Sequence, residues 1–167
     1  MSKSKTTVAA TVADTETRTT RDDHQSLRLW LRLLACTNLI EAQVRSRLRV
    51  QFDTTLPRFD LMAQLERSPE GLKMGELSKR MMVTGGNVTG ITDQLVAEGL
   101  VVREDNPADR RAYIVKLTAE GKKQFKKMAE AHEKWILELF SGLKEADKQQ
   151  LHSLLALLKT HVAGVQR

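Results

Sequence analysis

The chain has 167 residues, 41% of them hydrophobic and 29% charged, which is enough for one globular domain or a small domain with an extension used for assembly. No run approaches the roughly 18 to 20 apolar residues that cross a bilayer, the segment Met1–Thr20 lacks an apolar signal core, and a lone Cys36 allows no internal disulfide, so a cytoplasmic, reducing environment is expected. Twenty-seven Lys and Arg against 21 Asp and Glu leave a charge of +6, which favours an anionic partner.

Residues 1–21 are rich in Thr, Ala and Lys without periodicity and are expected to form a disordered tail. From Asp22 to about Val50 the spacing predicts a long helix. Leu27, Leu31, Leu34 and Asn38 fall on one line and Leu29, Leu33, Cys36, Ile40 and Val44 on another. A helix apolar on more than one side needs more than one covering layer, and in a chain this small the simplest second layer is another copy of the protein. Arg28 and Arg32 share a face, four residues apart.

A loop, Asp53 to Pro57, then leads into a helix whose buried side is expected to hold Phe59, Leu61, Met62 and Leu65, with Pro57 suited to the first turn. Pro69-Glu70-Gly71 ends it, and Gly71 to Met74 has the composition of a short edge strand. A short helix follows, with Leu77 and Met81 as its apolar stripe. Val83-Thr84-Gly85-Gly86 breaks the pattern, and Thr84 can cap the next helix. Val88, Ile91, Leu95 and Val96 form that helix's apolar face, with Gly86, Asn87, Gly90, Asp93 and Gln94 opposite. Gly99 sits at the left-handed C-cap position. Leu100–Arg103 and Ala112–Leu117 read as strands, joined by the charged, proline-containing turn Glu104–Arg111. Helix, turn, helix and hairpin in that order is the winged-helix plan, which places one helix in the major groove of DNA and a wing tip against the neighbouring backbone. Between Lys73 and Lys116 seven basic residues face six acidic ones, so this reading rests on arrangement more than on bulk charge.

Thr118 can cap a further helix, although Gly121 occupies the position where a capping box has Glu or Gln. Phe125, Met128, Ala129, His132, Trp135, Ile136, Leu139 and Phe140 follow at spacings of three and four. After a break at Ser141-Gly142-Leu143, a last helix carries Leu151, Leu154, Leu155, Leu157, Leu158 and Val162. These helices hold more apolar side chains than a winged helix of roughly 60 residues can cover, so they are expected to build a homodimer platform with the Asp22–Val50 helix. The expected fold is therefore mainly α with a small β-wing. Its parts are a tail (1–21), an N-terminal dimerisation helix (22–50), a winged helix-turn-helix lobe (51–117) and C-terminal dimerisation helices (118–167).

Two stretches, ELSKRMMVTGGNVTGITDQLVAEGLVVRE and DNPADRRAYIVKLTAEG, resemble the MarR family of transcriptional regulators. The second matches the family's wing signature of an Asp, a spacer, Asp-Arg-Arg, an apolar strand and Leu-Thr-x-x-Gly, and the similarity runs from about Asp23 to Lys159. The resemblance implies a homodimeric winged-helix protein, usually a repressor, that leaves its DNA operator when a small, often aromatic acidic ligand binds. Less specifically, it is similar to regulators of aromatic-acid degradation that respond to hydroxycinnamoyl-CoA thioesters. It places the recognition helix at Val83–Glu98 and the wing at Asp105–Arg111. Gly85, Gly86 and Gly90 depart from relatives that carry Ser, Lys or Arg, which shifts readout toward Asn87, the wing or DNA shape.

On this reading Arg110 or Arg111 enters the minor groove or grips a phosphate; the plain alternative is that Arg110 pairs with Asp105 or Asp109 and only holds the turn. Asn87 can match an adenine edge or simply be solvated. Thr84 and Thr89 can reach phosphates by hydroxyl, and Lys79 and Arg80 by charge. An effector cleft between platform and lobe is expected to draw on Arg28 and Arg32 as anion anchors, with His24, Trp30, Asn38, Phe59 and Met62 as lining. Trp30, Phe59 and Met62 read equally as core. Cys36, placed among Leu33, Leu34, Leu39 and Ile40, is expected to be hidden from oxidant.

The four histidines show no metal-ligand spacing, no Gly-rich phosphate loop follows a strand, and no Ser or Cys is placed as an activated nucleophile, so neither an enzyme nor a cofactor is expected. The remaining alternatives are an architectural or partner-binding winged helix that reads no sequence, and a metal- or redox-sensing relative.

Overall fold

The computed structural model describes residues 25–81, 88–106 and 113–165. Their elements run α1 (Gln25–Phe52), α2 (Leu56–Glu66), β1 (Leu72–Lys73), α3 (Met74–Arg80), α4 (Val88–Ala97), β2 (Val101–Asp105), β3 (Tyr113–Leu117), α5 (Ala119–Leu139) and α6 (Glu145–Val165). None of these helices is long and apolar enough to cross a membrane. The chain divides into two compact units at Gln43/Val44, within α1.

In the second unit α2 is the hub. Pro57 stands in its first turn, and Leu56, Phe59, Leu61, Met62 and Leu65 are all buried. It packs against α3, α4, α5 and β3. Four of those five positions are the ones its helical spacing selects. Leu48 from α1, Leu77, Leu95, Val101 and Val115 complete a closely packed apolar centre.

The edge strand expected at Gly71–Met74 is β1, and the antiparallel sheet has the order β1-β3-β2. Leu72 pairs with Val115, and Val101 with Leu117. Gly71 makes the entry possible. Its φ is +86°, and a Cβ there would lie 2.3 Å from Ile114 Cγ2. The α3 start is closed by the Glu76 carboxylate, which accepts from the Lys73 backbone N–H at 3.2 Å.

At the end of α4, Gly99 adopts φ +72°. Its N–H donates to Val96 O (3.0 Å) and the Leu100 N–H to Leu95 O (2.9 Å), a Schellman closure that ends the helix where its sequence signal stood. The apolar face of α4 differs from the expected one. Leu95 is fully buried, but so is Thr92, while Val88, Ile91 and Val96 are half-buried. Thr92 is tolerated because its hydroxyl donates to Val88 O at 2.7 Å, one turn back in the same helix.

Thr118 joins three elements. Its hydroxyl accepts from the Gly121 N–H (3.0 Å) and donates to Gly99 O (2.7 Å), and its own N–H donates to Leu100 O (3.0 Å). The incomplete capping box now has a steric reason: a Cβ on Gly121 would stand 1.9 Å from Leu100 O. A side chain cannot occupy that position while β2 begins where it does.

Along α5, Met128 and Trp135 are buried and Phe125, Ala129, His132 and Ile136 half-buried. Phe125 stacks on Phe59 at 5.5 Å, and Phe52 lies 6.2 Å from Trp135. Arg47 holds Glu138 through two hydrogen bonds, 2.7 and 3.1 Å. On α6 Leu151, Leu154, Leu155, Leu157, Leu158 and Val162 are all exposed. In the first unit Leu27, Leu29, Trp30, Leu34 and Leu39 are exposed as well, and so are Asn38 and Cys36. The shielding of Cys36 by its leucine neighbours is therefore not found within the chain. Among the described residues those side chains spread around one helix and stay open to solvent.

Two outcomes test this packing. Gly121→Ala is expected to destabilise the fold by about 3 kcal/mol through overpacking against a backbone carbonyl, and Thr118→Ala by about 1 kcal/mol through cap loss, both read as midpoint shifts in urea denaturation. Burial lowers the pKa of His132 from its ordinary value near 6.5. Its ring sits 5.1 Å from Phe59 and 6.4 Å from Trp135. The unfolded chain then takes up the proton first, so the contribution of His132 is complete above that ordinary value and is lost as pH falls through the lowered one. His132→Gln is expected to flatten the fall in stability on acidification, measured by denaturation at a series of pH values.

Candidate nucleic-acid interface and ligand cleft

The elements that follow the helix-turn-helix and wing plan are α3, α4 and the β2–β3 hairpin. Lys79 and Arg80 lie in the last turn of α3 and are exposed, where cations also suit the helix dipole. Arg80 is tied back to the loop after α2, its Nη1 donating to Ser68 Oγ at 2.9 Å. Thr89, Asp93 and Gln94 form an exposed strip on α4. Thr84 and Asn87 lie outside the described residues, as do Arg110 and Arg111 in the β2–β3 connection, the possible partner Asp109, and His24.

The braces of this surface are legible only in three dimensions. Arg103 on β2 pairs with Asp93 on α4, which ties the hairpin to the helix beside it. Lys116 on β3 pairs with Glu104 on β2 at 2.8 Å, and the contact raises the Lys116 pKa. Asp93 was expected on the polar side of its helix, but nothing in the periodicity of β2 marks Arg103 as its partner. The signal that could have found the pair is an arginine in the middle of a strand, ten residues after an outward carboxylate on the preceding helix.

The expected effector residues fall into different settings. Arg28 and Arg32, one turn apart, border a shallow depression of about 290 Å³ with Gln25 and Leu29 in the first unit. Trp30 and Asn38 are exposed on the same helix. In the second unit Phe59 is committed to its stack with Phe125, and Met62, 1% exposed, is core with one edge on a cleft.

That cleft holds about 500 Å³; of the residues expected to line an effector cleft, Met62 lies on it, and its other lining residues were not among them. Phe52, Met62, Leu100 and Met128 form its apolar wall. Asp53, Arg58, Glu98, Glu120 and Lys127 stand around it. Arg58 pairs with Glu98, just beyond the end of α4. Among the described residues the Arg58 Nε is buried and meets no acceptor. Asp53 turns the chain out of α1 at φ +47°, a left-handed conformation that Asp tolerates better than most residues. Among the described residues no group of three or more His, Cys, Asp or Glu converges as a metal site.

The arrangement makes a test possible without knowledge of any operator. Arg103→Ala is expected to speed hydrogen exchange at the exposed edge of β2 and in α4 while costing no more than about 1 kcal/mol of global stability, as a partly exposed ion pair should. Unchanged exchange in both elements would show that the pair braces nothing.

The model of the MarR family matches residues 52–112, which hold α2 through the β2–β3 connection. A crystal structure of a MarR family transcriptional regulator from Silicibacter pomeroyi is 34% identical, with 84% of this chain and 99% of that one covered and a TM-score of 0.72. An uncharacterized HTH-type transcriptional regulator, YkoM of Bacillus subtilis, is 34% identical over 95 residues, a span of 57% of this chain and 60% of that relative. At 22% identity the fold also matches a MarR family regulator from Streptomyces coelicolor solved in complex with DNA, with a TM-score of 0.71 over 84% of this chain and 89% of that one. With α3, α4 and a three-stranded wing sheet in the family's order, and an equally close relative matched over nearly its whole length, this chain belongs to the MarR family of transcriptional regulators.

Proposed function

We propose that the protein is a repressor that binds a two-fold-symmetric operator as a homodimer and leaves it when a small aromatic acid or its CoA thioester binds. The observation that carries the assembly is the uncovered apolar surface of α6 and of the first part of α1. Monomeric proteins rarely leave so many large aliphatic side chains in contiguous stretches open to water. A second copy supplies an identical surface, and two-fold symmetry makes one patch complementary to itself. Paired α4 helices would then meet successive major grooves about 34 to 36 Å apart.

In this reading the wing carries the charge that reaches DNA. Arg110 or Arg111 contacts the backbone or minor groove, with Lys79, Arg80 and Thr89 on phosphates and Asn87 on a base edge. Thr84 caps the recognition helix. The paired guanidinium groups of Arg28 and Arg32 anchor the carboxylate, or the phosphates of a thioester.

Three measurements decide among these parts. Leu154→Asp combined with Leu158→Asp is expected to halve the mass seen by light scattering while leaving the helical circular-dichroism signal largely in place. Arg110→Ala is expected to weaken binding to every operator variant alike and to lower the salt slope by about one unit; unchanged affinity in a folded dimer removes Arg110 from the interface. Arg32→Ala is expected to abolish effector-driven release with DNA binding retained, and release that persists removes Arg32. A protein that binds random duplex as tightly as any palindrome would instead be an architectural winged helix.

A further inference from the structure

We propose that Arg67 and Ser68, at the turn that ends α2, join Arg80 in taking a phosphate of the DNA backbone beside α4, with Ser68 as the positioning residue for the Arg80 guanidinium. The proposal rests on the operator reading above and gives two further residues a part in it.

The turn is fixed by its own backbone. Arg67 caps α2 in a helical conformation, its N–H donating to Ala63 O at 3.4 Å. The Ser68 N–H donates to Leu65 O (3.0 Å), and the Ser68 carbonyl accepts from the Gly71 N–H (2.8 Å). Pro69 locks the next φ. From that fixed point the Ser68 hydroxyl accepts from Arg80 Nη1 at 2.9 Å, twelve residues away in the chain.

The charge of this corner is not neutralised within the chain. Arg47, Arg58 and Arg103 each end on a carboxylate. Arg67 and Arg80 are exposed, and among the described residues neither pairs with one; Arg80 ends on a neutral hydroxyl. Glu66 and Glu70 border the turn. Glu70 acts on Lys116 of β3, whose pKa it helps to raise, so its charge lies toward the sheet. Glu66 is exposed and bonded to neither arginine.

A hydroxyl holds a guanidinium without cancelling it. Ser68 Oγ takes one N–H of Arg80, leaves the other donors of that planar fork available, and keeps its own proton to give. Arg67, the adjacent residue, adds a second guanidinium within a side chain's length. Two guanidinium groups and a hydroxyl suit a phosphate diester, an anion of single charge with several acceptor oxygens. An arginine already held also loses less rotamer freedom when the phosphate arrives.

Position selects the source of that phosphate. Arg80 is the last residue of α3, which packs on α4, and α4 begins at Val88. In a helix-turn-helix the helix before the reading helix crosses the DNA backbone. The end of α3, and the turn tied to it, therefore flank the groove that α4 enters.

The test uses the full chain and needs no known operator. On a random-sequence duplex, Arg67→Gln is expected to lower the slope of log affinity against log salt by about one unit and to weaken binding about tenfold at low salt. Ser68→Ala removes no charge; it is expected to weaken binding several-fold with the thermal midpoint unchanged, and Ser68→Thr to restore it. Next, single phosphates are replaced by neutral methylphosphonates in a duplex that the parent chain selects from a randomised pool. A position in each half-site is expected where the replacement costs the parent affinity but costs Arg67→Gln and Ser68→Ala nothing further. A folded Arg67→Gln that keeps the parent's slope and affinity overturns the site, and this exposed position carries the test if Ser68→Ala fails to fold. Ser68→Ala that binds as the parent does overturns the positioning role. Inorganic phosphate that protects the parent from heat but not Arg67→Gln, with DNA binding unchanged, would mark an anion corner turned away from the duplex and also overturn the proposal. If the parent selects no duplex, the operator reading fails, while the salt slopes on random duplex still decide the site.

Discussion

A single close approach governs the second unit: the backbone of Gly121 lies against the Leu100 carbonyl with no space for even one carbon between them. That carbonyl also receives the Thr118 N–H, and the Thr118 hydroxyl reaches both Gly99 and Gly121. The end of α4, the start of β2, the end of β3 and the start of α5 are thus fixed to one another within two or three hydrogen bonds. The Leu-Thr-x-x-Gly motif is the chemical record of this joint. Threonine supplies a donor and an acceptor in one hydroxyl, and glycine supplies the missing volume. The pairing of Val101 with Leu117, and the rest of the β2–β3 register, follows from where the joint starts the strands.

Around that joint, ion pairs tie neighbouring elements to one another. Asp93–Arg103 links α4 to the hairpin, Arg58–Glu98 links it to α2, and Arg47–Glu138 links the end of α1 to α5. Each is partly exposed, so each contributes little to global stability. Their value lies in direction. Helix α4, tied by charge pairs at Asp93 in its middle and at Glu98 just past its end, has an orientation that a modest change in electrostatics can alter, whereas its fully buried Leu95 cannot be repacked cheaply.

Much of the fold was legible because its signals are local. Pro57 in the first turn of α2, Gly99 at the end of α4, Gly71 beside a short edge strand and Thr118 at the head of α5 each mark a boundary by their own backbone chemistry. Helical spacing picked out Phe59, Leu61, Met62 and Leu65 for the same reason. It failed at Thr92, since periodicity scores a hydroxyl as polar and cannot see that Val88 O, one turn back, accepts its proton. Apart from Met62, the lining of the cleft was illegible for a different reason. Asp53, Arg58, Glu98 and Lys127 come from four separate segments, each of which reads as ordinary solvated charge. Cys36 shows the opposite error: apolar neighbours in sequence were read as cover, but within the chain they leave it exposed.

The bareness of α6 has a consequence for how the protein is made. Seven large aliphatic side chains along one helix, Leu151 to Val165, face water in the single chain. In the proposed assembly a newly synthesised copy meets its mate by diffusion, and until then it is prey to proteases and to clumping. Survival therefore rises more steeply than in proportion to synthesis. Scarce chains are lost and abundant ones protect each other, so the helix that joins the subunits would also set a threshold for how much regulator the cell keeps.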